Sequence, residues 1–216
     1  MIKNIIFDLD GTITNSYEGI VNAVKFSLDK INFKYDKSKL ISFIGPPLKD
    51  SYTELGFSEI ESKERIEDFR DYYFKKGMKE MELYDGIVET IHKFYDEGYK
   101  IYLATSKVES SARKILSDNN LLKYFSYTAG ATMDQSRVEK EDVIAYLLDK
   151  TRIKPEESIM VGDRHHDIEG AKMNNIRAIA AEYGFGNKEE YENAVFVAQK
   201  PTDIYDYVIN NRWLKW

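Results

Sequence analysis

The chain has 216 residues, of which 43% are hydrophobic and 31% charged, and a formal net charge of −6. This is the profile of a globular protein, long enough for one domain with an insertion or two small domains, and the acidic balance gives no reason to expect nucleic acid or an anionic membrane as a partner. With no cysteine, disulfides, thiolate zinc sites and cysteine nucleophiles are excluded; with only His92, His165 and His166, a metal site must use mainly oxygen ligands, which favours magnesium over zinc.

Residues 2–7, Ile-Lys-Asn-Ile-Ile-Phe, predict a buried parallel strand that ends at Asp8-Leu9-Asp10-Gly11-Thr12. The N-terminal residues contain no long apolar run, so neither a signal peptide nor a membrane span is expected and the location is expected to be cytoplasmic. From Ser16, a plausible N-cap, Tyr17, Ile20, Val21, Val24, Leu28 and Ile31 recur at helical spacing. Residues 36–55 read as short helical pieces around Gly45-Pro46-Pro47. Ser58 and Glu61 form a capping-box pattern opening a charged helix to about Lys76.

Beyond that the pattern alternates. A helix is predicted over 86–97 and ended by Gly98, then a strand over 99–104, a helix over 109–118, a strand near 125–129 and a helix near 139–150. Residues 158–161 are the next strand, followed by Gly162-Asp163 and a helix beginning near Asp167. Two further strands (176–180 and 195–198) and a helix after Pro201 complete the chain. Alternation of this kind predicts an α/β fold with a doubly wound parallel sheet. The helical stretch is expected as an insertion after the first strand, giving a core of 1–15 and 82–216 and a helical unit of 16–81.

Three polar clusters follow predicted strands: Asp8 to Thr12, Thr105-Ser106-Lys107, and Gly162-Asp163 with Asp167. Ligands of open α/β sheets bind at the carboxyl ends of strands, so the three can share one site, with Lys140 as a fourth contributor. The set suits phosphoryl transfer. A carboxylate can attack phosphorus, but carboxylates and a phosphate dianion repel, and a magnesium ion between Asp8, Asp163 and a phosphate oxygen reverses that repulsion. Lys140 and the Thr105 hydroxyl would hold other phosphate oxygens, while Asp10 would protonate the leaving group and later deprotonate water. Gly11 permits a sharp turn under the phosphate, so that Gly11, Thr12, Thr105, Ser106 and Lys140 are candidates for its surroundings.

The ordered set Asp8-Leu9-Asp10-Gly11-Thr12-Ile13, Thr105, Lys140 and Gly162-Asp163-x-x-x-Asp167 resembles the four motifs of the haloacid dehalogenase-like superfamily. Phe43-Ile44-Gly45-Pro46-Pro47-Leu48, Lys140-x-Asp142-Val143-Ile144 and Gly162-Asp163-Arg164-x-His166-Asp167 resemble its phosphoglycolate phosphatase and 5′-nucleotidase-like branch. The resemblance implies a Rossmann-like core, an aspartyl-phosphate intermediate on Asp8, and magnesium held by the side chains of Asp8 and Asp163 and the main-chain carbonyl of Asp10. Asp167 would act on the metal directly or through water, with a cap on its helix as the plainer alternative. The insertion would be a helical cap, with selectivity near Gly45, Pro46, Pro47 and Lys49. Asn15 departs from the aspartate of many relatives and is given no catalytic role.

The expected substrate is a small phosphomonoester, of the phosphoglycolate or nucleoside 5′-monophosphate type, for a monomer or homodimer that engages neither nucleic-acid polymer nor membrane. A β-phosphoglucomutase-like phosphomutase and a noncatalytic binding protein on the same fold are the alternatives, the second opposed by the presence of every motif residue; dehalogenation has no need of Asp10. His165 and His166 are expected in a loop facing solvent or the cap, and Gly184-Phe185-Gly186 lacks a third glycine at dinucleotide spacing and reads as a loop.

Overall fold

The computed structural model describes residues 1–211. The strands are β1 (Asn4–Phe7), β2 (Thr14–Asn15), β3 (Glu82–Leu83), β4 (Lys100–Val108), β5 (Phe125–Ala131), β6 (Ser158–Gly162), β7 (Arg177–Ala181) and β8 (Phe196–Ala198). The helices are α1 (Tyr17–Asp29), α2 (Leu48–Glu54), α3 (Glu59–Lys75), α4 (Ile87–Asp96), α5 (Glu109–Asp118), α6 (Lys140–Thr151), α7 (His165–Met173) and α8 (Pro201–Asn211). The chain divides into two compact units: Met1–Thr14 with the chain from Leu83 onward, and Asn15–Glu82. The short strands β2 and β3, where the chain passes between the units, pair with each other.

The first unit is built on a six-stranded sheet in the order β5-β4-β1-β6-β7-β8, and every pairing in it is parallel. Strand β1 is buried throughout, because it lies at the centre with helices on both faces. Successive residues face opposite ways. Ile6 joins a cluster with Val143, Ile144 and Leu147 of α6 and Ile168 and Ala171 of α7, while the Phe7 ring lies 6.4 Å from that of Phe94 on α4. Chain order reverses at β1, so the site-bearing ends of β4, β1 and β6 meet at the topological switch point. Phe7 is level with Leu103 on one side and Val161 on the other.

The second unit is helical. Ser58 caps α3 as its sequence predicts: its hydroxyl accepts from Glu61 N at 3.4 Å and its own N–H donates to Glu61 Oε2 at 2.9 Å. Ser16 precedes α1, but its hydroxyl makes no capping bond. Helix α1 buries Ile20, Val21, Val24 and Leu28, whereas Tyr17 and Ile31, at the ends of the predicted apolar stripe, are exposed. Tyr52 of α2 is buried between Phe43 and Phe57, with ring centroids at 5.0 and 6.0 Å, and its hydroxyl meets Ser27 Oγ at 2.6 Å.

Among the boundaries that differ from the sequence reading, two bear on the site. Strand β4 continues past Ala104 through Thr105, Ser106 and Lys107 to Val108, because its polar end still pairs with β5. Helix α7 begins at His165 rather than Asp167, which places both histidines in its first turn instead of in a loop. Among the described residues, no helix is long and apolar enough to cross a membrane.

Candidate active site

Asp8 follows β1 directly and remains in the ladder, its N–H donating to Val161 O at 2.9 Å. The chain then turns around Leu9, whose carbonyl accepts from Ile13 N and Thr14 N, each at 2.9 Å. Gly11 sits at φ +86°, and a Cβ there would fall 2.1 Å from Asp163 Oδ2. Only glycine permits both the left-handed backbone and the approach of the Asp163 carboxylate.

Asp163, fully buried after β6, is held from two sides. Phe185 N donates to its Oδ2 at 2.8 Å and the Thr12 hydroxyl donates to its Oδ1 at 3.4 Å. Tyr183 fixes that turn in return, its hydroxyl donating to Thr12 O at 3.0 Å. Asp167, at the third position of α7, accepts from Arg164 N through Oδ2 at 3.1 Å, so it does cap the helix. Its other oxygen faces Lys140.

Lys140 opens α6 and is 3% exposed. Its ammonium lies 2.7 Å from Asp8 Oδ1 and 2.7 Å from Asp167 Oδ1, and donates to Ala104 O at 3.1 Å. Both carboxylate contacts are buried ion pairs. Thr105 is buried beside this group, and Ser106 follows it, half-buried. Asp10 Oδ2 accepts from Lys107 Nζ at 2.6 Å, whereas Asp10 Oδ1 is buried with no partner among the described residues.

One lysine does not neutralise this much buried acid. Burial pushes the Asp8 carboxyl up to about 6; Lys140 opposes that rise and Asp167 adds to it. Burial, then Asp167 and Asp8, raise Asp163 well above the ordinary carboxylate range against the Phe185 N–H and Arg164. Burial disfavours the Lys140 ammonium, but Asp167 and Asp8 more than reverse this and hold it charged.

Oxygens of Asp8, Asp163 and Asp167 lie within 4.8 Å of one another and could hold a metal ion. An all-carboxylate donor set fits a hard divalent cation.

The structure therefore brings Asp8, Asp10, Gly11, Thr12, Thr105, Ser106, Lys140, Asp163 and Asp167 to the ends of three adjacent strands. Gly45, Pro46, Pro47 and Lys49 belong to the second unit, where Lys49 pairs with Glu59 at 2.5 Å. His165 Nδ1 lies 3.0 Å from Glu190 Oε2, and burial, then His165, push His166 down to about 4. Sequence reasoning placed Lys107 in the second cluster without giving it a role, and missed Tyr183 and the Phe185 amide. The Gly184-Phe185-Gly186 segment is a loop as expected, but it is one wall of the Asp163 pocket.

A family model described as haloacid dehalogenase-like hydrolase matches residues 5–181. A 5′-nucleotidase of Pseudomonas aeruginosa is 36% identical over 189 residues, covering 87% of this chain and 86% of that protein. Tyrosine-protein kinase PtkA of Mycobacterium tuberculosis is also 36% identical, over 86% of this chain but only 64% of its own length. Among solved structures, a predicted phosphatase from Clostridium acetobutylicum superposes with a TM-score of 0.94 at 38% identity, covering 97% of this chain and 99% of that one. Taken with the parallel sheet and the carboxylates at its switch point, these matches establish that the chain belongs to the haloacid dehalogenase-like hydrolases.

Proposed function

We propose that this hydrolase is a magnesium-dependent phosphatase that cleaves a small phosphomonoester by transient phosphorylation of Asp8. The observation that carries the reading is the buried Asp8–Asp163–Asp167 group with Lys140 as its resident cation. Asp8, Asp163 and Asp167 side chains, with the Asp10 carbonyl, would hold magnesium, which supplies the positive charge that an anionic phosphate needs beside carboxylates.

An Asp8 carboxylate oxygen attacks phosphorus, and the bond to the ester oxygen breaks as that oxygen takes a proton from Asp10. Asp10, now a carboxylate, takes a proton from water as the water oxygen attacks the phosphorus carried on Asp8. Phosphate leaves and both carboxyl groups return to their starting states, so the net reaction consumes one ester and one water. Lys140 balances the charge on Asp8, and Gly11, Thr12, Thr105 and Ser106 surround the phosphoryl group. Phosphoglycolate and nucleoside 5′-monophosphates are the first substrates to try. The inserted unit is the proposed cap and the source of selectivity, through Gly45, Pro46, Pro47 and Lys49.

The test is Asp8→Asn assayed on those esters and on p-nitrophenyl phosphate with magnesium. Turnover should vanish while circular dichroism stays unchanged, and the wild type alone should yield an acid-quenched phosphoprotein. Wild-type turnover by the variant would remove Asp8 from the nucleophile's role.

A further inference from the structure

Lys107 is not where a regular strand would put it. In the β4–β5 ladder Thr105 pairs with Gly130, but the next matched pair is Val108 with Ala131, so Ser106 and Lys107 are extra residues on the β4 side. Bulges of this kind redirect side chains and are frequent beside active sites. This one is fixed locally: Lys107 N donates to Thr105 Oγ1 at 3.2 Å. It is also fixed from β5. A Cβ on Gly130 would lie 2.7 Å from Lys107 O and 2.7 Å from Glu109 Cα, and these are backbone atoms that cannot yield by a rotamer change. Arg137 anchors the same residue, donating to Gly130 O from Nε at 3.1 Å and from Nη2 at 2.9 Å.

The redirected ammonium reaches across to the first motif and donates to Asp10 Oδ2 at 2.6 Å. Both side chains are deeply buried, 8% and 10% exposed. A carboxylate turns about its last torsion with little preference, and a charge-assisted bond to one oxygen removes that freedom. The other oxygen, Asp10 Oδ1, is buried with no partner among the described residues.

We propose that Lys107 is the positioning residue for proton transfer by Asp10: it anchors Oδ2 and leaves Oδ1 as the atom that gives and takes the proton, with Gly130 shaping the bulge that puts it there. This rests on the acid–base reading of Asp10 given above. The proton moves from Asp10 Oδ1 to the leaving oxygen, and later from water to Asp10; Lys107 gains and loses none.

The experiment compares phenyl phosphate with p-nitrophenyl phosphate, similar in shape but unequal in leaving-group basicity, on the wild type, Asp10→Asn, Lys107→Met, Lys107→Arg, Gly130→Ala and the double variant of Asp10→Asn with Lys107→Met. Single-turnover release of the phenol and steady-state kcat and KM are measured at saturating magnesium. Lys107→Met should lower phenol release from phenyl phosphate on the order of 10²-fold, the cost of a misplaced reacting group, and release of nitrophenolate much less, with KM little changed. Lys107→Arg should recover most of the loss, and Lys107→Met should cost nothing further in the Asp10→Asn background. Gly130→Ala keeps the lysine and should reproduce the same selective loss, which decides the matter even if Lys107→Met folds poorly. Equal losses on both esters, a rise in KM alone, or full additivity with Asp10→Asn would overturn the assignment of Lys107. An Asp10→Asn variant without leaving-group dependence would instead overturn the acid–base reading, and the proposal with it.

Discussion

Lys140→Met is the perturbation whose consequences follow most directly from the buried charges. The methionine fills similar volume but withdraws the ammonium that lies 2.7 Å from both Asp8 and Asp167. Removing one partner of a buried ion pair typically costs about 3–5 kcal/mol. With the ammonium gone, the Asp8–Asp167 repulsion, about 3 kcal/mol for oxygens 4.8 Å apart at an effective dielectric of 20, is left without an opposing charge. The loss has a pH dependence of known sign. Asp8 is already raised from 3.8 to about 6 by burial, and without Lys140 it rises further. A carboxyl with a raised folded-state pKa favours the fold when protonated, so its penalty is complete above that pKa and relieved as pH falls towards 3.8. Urea unfolding in chelator should therefore show Lys140→Met about 3–5 kcal/mol less stable than wild type at about pH 8, and clearly less penalised at about pH 5. Adding Asp8→Asn should recover much of the loss, because the two positions share one interaction. A deficit under about 1 kcal/mol at about pH 8, or one that does not change with pH, would refute this account of the site.

The same charges predict a response to metal. Magnesium should raise the melting temperature above about pH 6, where the Asp8 carboxyl is ionised against burial, by the equivalent of about 2.7 kcal/mol at a hundredfold excess over its dissociation constant. The shift should fade as that carboxyl protonates, and equal shifts at about pH 5 and pH 8 would count against a carboxylate site. Gly11→Ala should cost about 2 kcal/mol or more, since φ is +86° and the Cβ would meet Asp163 Oδ2. It should also abolish the magnesium-induced shift; an alanine variant as stable and as metal-responsive as wild type would show that the turn beneath Asp163 can relax.

Much of the site was legible because its chemistry is carried by residue types that rarely follow a buried strand for structural reasons alone. Asp8, Asp10 and Asp163 stand directly after apolar runs, and strand–helix alternation places such positions at one edge of the sheet. Lys140 was harder, as lysines at helix starts are usually solvated; here the helix start is buried and facing Asp8. Lys107 was visible as a member of its cluster, but not as a partner of Asp10. Its position depends on a broken register between Thr105 and Val108 and on a glycine in the next strand, and no local pattern encodes either. The polar end of β4 was likewise invisible, since hydrophobic periodicity stops at Ala104 while the hydrogen-bond ladder does not. The Phe185 amide that holds Asp163 is silent for a different reason: every residue but proline has one.

The equal levels of β4, β1 and β6 carry a further consequence. Asn4 stands opposite Lys100 and Ser158, Phe7 opposite Leu103 and Val161, and the spacing is kept in between. The proposed reacting groups are thus indexed to one another by the central ladder of the sheet, with Asp8 N as its last rung, on Val161 O. Such rungs open only when the domain unfolds, so the Asp8 amide should exchange with deuterium as slowly as the core does. The proposed nucleophile would then have a backbone anchor with the lifetime of the fold itself, insulated from fluctuation of the peripheral loops.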